Sequence, residues 1–203
     1  MKISSKKFID KKMLIDKDKQ ITIFHEINNF LKSKNITTSI YLFGGSSLIS
    51  LEIIKRSTRD VDFFIFLDDE DDISEQIKEH VLRETGIELD IGVNGSFYII
   101  GKDFTWTLPK KAYDRAKKII QLSNLTVYAL NPLDIIVMKC DRLDERDIQD
   151  ITKILIVEQP SKKILKSIFQ EYYLLLKGNR TSIEMIKDNF LQIVLLLRDM
   201  NVE

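Results

Sequence analysis

The stretch FGGSSLISLEIIKRSTRDVDFFIF, residues 43–66, holds two features that bear on each other. A glycine pair, Gly44-Gly45, closes one apolar run, and Asp60 and Asp62 head another that ends in Phe63-Phe64-Ile65-Phe66. Alternate residues of a strand project from the same face, so the two carboxylates share one. Like charges held that close cost free energy unless a cation or a shared proton relieves them. Acids placed in this way mark a site.

Upstream, the β-branched run Ile36, Thr37, Thr38, Ile40, Tyr41, Leu42 predicts a strand that leads into the glycines. Leu48, Ile49, Leu51, Ile53 and Ile54 predict a short helix over about 46–55, and residues 61–67 a second strand. Before these, Ile23, Phe24, Ile27, Phe30 and Leu31 lie at helical spacing within residues 20–34. Downstream, residues 71–84 open with acids, as a helix N-terminus favours, and end at Gly86. Ile87-Glu88-Leu89-Asp90-Ile91 alternates as a third strand and turns at Asn94-Gly95 into a hairpin through residues 98–100. Residues 125–130 predict a further strand.

From Pro132 the pattern becomes helical, with Asn131 as a cap. Residues 132–157 predict one or two helices carrying Lys139, Asp147 and Asp150. Pro160-Ser161 interrupts, and Ile164, Leu165, Ile168, Phe169, Tyr172, Tyr173 and Leu176 form a helical stripe. Gly178-Asn179 turns the chain, and Thr181 with Glu184 predicts a capping box for a last helix. The fold class is α/β (α+β): a mixed-sheet core with an N-terminal helix over residues 1–130, then a C-terminal helical bundle over 131–203.

A chain of 203 residues, 44% hydrophobic and 31% charged, fits a soluble globular protein with a real core. Its 31 lysines and arginines balance 31 acids, which argues against non-specific coating of DNA. One cysteine, Cys140, excludes an internal disulfide and suits a reducing cytoplasm. The N-terminus shows no signal-like apolar core, and no stretch is apolar enough to span a bilayer. Two histidines and one cysteine speak against zinc, and His25, in an amphipathic pattern, reads as structural. The run LDDEDD, residues 67–72, reads as a solvated loop and helix start. The basic cluster PKKAYDRAKK, residues 109–118, has two readings. It is a solvated helix face, which is preferred, or a contact for triphosphate or RNA with Tyr113 stacking on a base.

A strand, a glycine turn, a helix and a strand bearing Asp-x-Asp together suggest phosphate chemistry. Gly44 and Gly45 let the backbone approach a ligand with no Cβ in the way. The following helix start, with the Ser46 and Ser47 hydroxyls, suits a phosphate. The acids would hold Mg²⁺, and two such ions can clamp an in-line displacement at phosphorus. A third acid is then needed on an adjacent strand. Asp90 is the first candidate and Glu88, on the same face, the second.

The segment from FGG to VDFF resembles the signature of polymerase-β-like nucleotidyltransferases, with residues 47–59 as its spacer. More narrowly the chain is similar to the AbiEii-type group, many of whose members are toxins of toxin–antitoxin pairs. GGSSL followed by STRDVDFF, IELDIGV, and NPLDIIVMKCDRLDERDIQDI carry the resemblance, over roughly residues 40–155. It implies an NTP substrate, an RNA or protein acceptor and, for a toxin, a cognate antitoxin. By the same resemblance Asp60, Asp62 and Asp90 are metal ligands and catalytic, and Gly44, Gly45, Ser46 and Ser47 hold the triphosphate. Lys139 meets phosphate or a reacting oxygen, and Asp147, with Asp150, belongs to the nucleotide site, orienting Lys139 or Arg146. The residues between Lys139 and Arg146 are charged where those relatives often carry small ones. The alternative is a protein that keeps the fold and binds a nucleotide or partner without catalysis.

Overall fold

Asp16 starts the first helix: its carboxylate accepts from the Lys19 amide at 3.0 Å, satisfying one of the orphan donors of the first turn. α1 (Lys17–Ser33) then buries Ile23, Phe24, Ile27, Phe30 and Leu31 on one face. A computed structural model of the chain describes residues 14–58, 60–67, 70–93, 96–98, 105–176 and 180–200. Following α1 come β1 (Thr38–Leu42), α2 (Gly44–Ser50), β2 (Val61–Ile65), α3 (Glu70–Thr85) and β3 (Leu89–Val93). Next are β4 (Ser96–Tyr98), β5 (Thr105–Thr107), α4 (Lys110–Arg115), β6 (Lys117–Gln121) and β7 (Leu125–Ala129). Four helices follow among the described residues, α5 (Pro132–Met138), α6 (Glu145–Glu158), α7 (Lys162–Tyr173) and α8 (Arg180–Asp199), with a 3-10 turn at Lys139–Asp141 after α5.

The described strands form one mixed sheet in the order β5-β4-β3-β2-β1-β7-β6. β1 runs antiparallel to β2 and parallel to β7, and β2 runs parallel to β3 through the α3 crossover. The alternation of each strand sorts its residues between two layers. Ile40, Leu42, Val61, Phe63, Ile65 and Val127 join the cluster under α1 and α3. Phe64 faces the other way, into a cluster that holds Phe43 and Leu48 together with Leu133, Ile136, Ile154 and Phe169 of the later helices. Each such buried side chain contributes about 1.5–3 kcal/mol against its exposed state. The α/β core and the C-terminal helices expected from the pattern are therefore joined by one continuous apolar cluster.

Several local readings are corrected. α2 stops at Ser50 rather than near residue 55, because Glu52 takes a left-handed φ of 62° and the Ile53 amide folds back to Leu48 O at 3.0 Å. The basic cluster is not one helix face. α4 ends at Arg115, Ala116 is extended, and the next five residues form edge strand β6. Short β5 and β6 carry too few alternating apolar positions to declare themselves. The turns at Asn94-Gly95 and Gly178-Asn179, the hairpin end at residues 99–100, Asp68-Asp69 of the acidic run and the Thr181 side chain lie outside what is described. Among the described residues no helix is long and apolar enough to cross a membrane.

Candidate functional site

The register of β2 and β3 decides the site. Asp62 pairs with Asp90 across the parallel ladder, so the two side chains stand on one face of strands about 4.8 Å apart. Asp60 lies one alternation before Asp62, and all three acids line the same open cleft of about 360 Å³. Glu88 does not border it. Asp60 is steadied by the Thr58 hydroxyl, which donates to its carboxylate at 3.2 Å.

Gly44 is needed twice over. Its φ of +54° is left-handed, and a Cβ there would stand 3.0 Å from Asp62 Oδ2. Gly45 faces elsewhere, toward Arg56 Nη2 and Thr58 Oγ1, each 3.7 Å from a built Cβ. Ser46 and Ser47 are fully buried and their hydroxyls turn inward. Ser46 Oγ accepts from the Asp62 amide at 3.1 Å and donates to Asp60 O at 3.4 Å, bracing the acidic strand against α2. Ser47 Oγ donates to Leu130 O at 2.9 Å. The expected phosphate donors are thus spent inside the protein as braces. Gln20 of α1 holds α2 from behind, donating to Ser46 O at 3.2 Å and accepting from Ser50 Oγ at 2.7 Å.

The opposite wall is cationic and comes from the helical region. Lys139, 9% exposed, donates to Asp147 Oδ1 at 2.6 Å and pairs with Asp150 Oδ2 at 3.1 Å. Arg142 grips Asp147 with two bonds, 2.9 and 3.0 Å. Asp150 is also held by Arg56 through bonds of 2.6 and 3.3 Å. Asp147 and Asp150 both engage the Lys139 ammonium. Their other partners are Arg142 and Arg56; Arg146 instead donates to Ser57 O at 3.4 Å. Asp147 is almost fully buried, so it acts through the cations it fixes. Burial works against its charge, but the bonds from Arg142 and Lys139 win and hold its carboxyl below the ordinary range.

The acidic wall has the reverse balance. Burial first, then the charges of Asp60 and Asp90, push the Asp62 carboxyl up to about 8, against the pull of Lys139 and Arg142. Among the described residues no three His, Cys, Asp or Glu side chains converge closely enough to hold a metal ion; the acids border an open cleft. Their chemistry still fits a hard divalent ion, since every donor is carboxylate oxygen and Asp60 and Asp90 raise the Asp62 carboxyl.

Arg56, Thr58, Arg142 and Arg146 also line the cleft, and of these motif reading had named only Arg146. Arg56 sits inside the spacer, and its partner Asp150 is 94 residues away, so no local pattern ties the two together. A signal was present in part: KRSTR, residues 55–59, immediately before Asp60, is basic and polar between apolar runs.

Acids in register on adjacent strands, a glycine turn packed on one of them and a buried lysine across the cleft define the class of polymerase-β-like nucleotidyltransferases, which the opening stretch resembles. Residues 18–193 match the family described as nucleotidyltransferase of unknown function (DUF6036), and the chain belongs to that family. No curated protein matches it.

Proposed function

We infer that the protein is a Mg²⁺-dependent nucleotidyltransferase. It moves a nucleoside monophosphate from an NTP to a hydroxyl of RNA or protein and releases pyrophosphate. The observation that carries this reading is the Asp62–Asp90 register, which sets the acids opposite Lys139 in one cleft. Asp60, Asp62 and Asp90 would hold the metal, which when bound supplies neutralisation of charge at the phosphates and at the attacking oxygen. Gly44 keeps the space beside Asp62 open for the donor's phosphate. Lys139, fixed by two buried carboxylates, presents a point charge that need not reorganise during reaction. The acceptor oxygen bonds to the α-phosphorus as the bond to the pyrophosphate oxygen breaks, so catalysis rests on positioning and charge.

We extend the reading to the AbiEii-type group, on the three stretches that resemble it, and with it to a cytoplasmic toxin silenced by a cognate antitoxin. Such a toxin slows growth when expressed alone, and co-expression of a neighbouring gene restores it; unimpaired growth counts against this extension. The core reading is tested by isothermal titration of the four NTPs with and without Mg²⁺. Metal-dependent binding of one NTP, lost in the Asp60→Ala/Asp62→Ala variant, is the expected result. No binding by any NTP would point to the fold kept without catalysis.

A further inference from the structure

The inward turn of Ser46 and Ser47 leaves the donor's phosphate chain without the hydroxyls that the motif suggested. Another group stands where they would have acted. Arg56 Nη2 and Nη1 lie 3.7 and 3.9 Å from the position of a Cβ on Gly45, so the guanidinium covers the second glycine as Asp62 covers the first. Consecutive Cα atoms are about 3.8 Å apart. A phosphate chain laid along the glycine pair therefore runs from the acids at Gly44 to the guanidinium at Gly45.

Arg56 is built for this. Its Nε and Nη2 are engaged by Asp150, itself 2% exposed, which fixes the plane of the fork. Nη1 makes only a long 3.5 Å bond to Ser57 O, and the side chain keeps 27% of its surface open. N–H groups thus remain available toward the cleft. Arg56, Lys139 and Arg142 share the two buried carboxylates Asp147 and Asp150, and Asp144 meets Arg142 at the exposed rim.

We propose that Arg56, held by Asp150, binds the two outer phosphates of the donor and so selects triphosphates over monophosphates. This rests on the nucleotidyl-transfer reading of the cleft and adds to it a phosphate-binding residue from the spacer. A planar fork with two donors left over suits two phosphate oxygens better than a hydroxyl would.

The test compares wild type with Arg56→Gln by titration, in the presence of Mg²⁺, using inorganic tripolyphosphate, the NTP that wild type binds best and the matching NMP. Arg56→Gln is expected to weaken tripolyphosphate and NTP by about tenfold or more, the loss of a charged hydrogen-bond donor, while NMP changes less than about twofold. Equal weakening of NMP and NTP would show that Arg56 merely supports the fold, and unchanged triphosphate binding would likewise overturn the proposal. If Arg56→Gln does not fold, Arg56→Lys serves. It keeps the charge, should lose part of the triphosphate affinity and none for NMP, and overturns the proposal if both fall together. Wild type that binds NTP through Asp62 while Arg56→Gln matches it sinks this inference alone. Wild type that binds no nucleotide sinks the transfer reading as well.

Discussion

Gly44 tolerates no side chain for two separate reasons, and they predict separable losses. Alanine there must hold a left-handed φ, at about 1–2 kcal/mol, and must push back Asp62 Oδ2 from 3.0 Å. Gly44→Ala is expected to lower stability by about that amount in urea denaturation and, beyond it, to weaken Mg²⁺-dependent NTP binding; intact binding would show that Asp62 is not at the ligand. Asp62 makes a pH prediction. Its carboxyl sits at about 8 when folded, against an ordinary 3.8. A raised acid contributes its stabilisation in full below the unfolded value and loses it as pH rises through the folded one. Without metal, Asp62→Asn should therefore be more stable than wild type at pH 8 by about 1–3 kcal/mol, a full unit being about 1.4 kcal/mol and the open cleft screening part. Below pH 4 the difference should vanish. Denaturation in EDTA at both pH values checks the sign, and a variant no more stable at pH 8 would mean that the acids do not strain the metal-free fold.

The start of α6 shows how one element serves both fold and site. Asp144 accepts from the Asp147 amide at 2.9 Å, and Asp147 Oδ2 accepts from the Asp144 amide at 3.4 Å, a reciprocal cap. The same Asp147 carboxylate holds Lys139 and Arg142. Removing Asp144 should cost the cap and an exposed ion pair with Arg142, about 1–2 kcal/mol together. Asp147→Ala should cost about 3–5 kcal/mol, because it leaves Lys139 with less compensation in a buried position. Guanidinium denaturation of the two variants distinguishes them, and equal costs would refute the double role. Because Asp147 is held below the ordinary carboxylate range, its contribution is present above pH 4 and is lost as pH falls through the folded value.

The apolar cluster that joins Phe64 and Leu48 to Phe169 and Phe190 makes the later helices part of the same folding unit as the sheet. Phe169 and Phe190 stack at 3.9 Å between centroids, far in sequence from the acids. Phe190→Ala should cost about 3–5 kcal/mol, and loss of secondary structure and of nucleotide binding should follow one transition. Two separated transitions, with the NTP site surviving the first, would show that the helical region is an independent body. The cationic wall depends on that docking, since Lys139 and Arg142 reach the cleft only while α5 and α6 pack against α2 and the sheet.

Local periodicity determined much of this. The alternation around Asp62 and Asp90, the glycine pair, the cap at Asn131 (its Oδ1 accepting from the Leu133 amide at 2.9 Å) and the stripes of α1 and α7 were all legible, because each depends on neighbours a few residues apart. Strand alternation put Glu88 and Asp90 on one face, and the β2–β3 register, which sets Asp90 beside Asp62, told them apart. What tertiary structure alone decided is which groups meet across long separations. Arg56 finds Asp150, Ser46 turns in to brace Asp62, and two carboxylates gather three cations opposite three acids. Hydroxyls and charged side chains carry no periodic signal of their direction. Their partners are set by the packing of the apolar faces beneath them, which only the folded chain brings together.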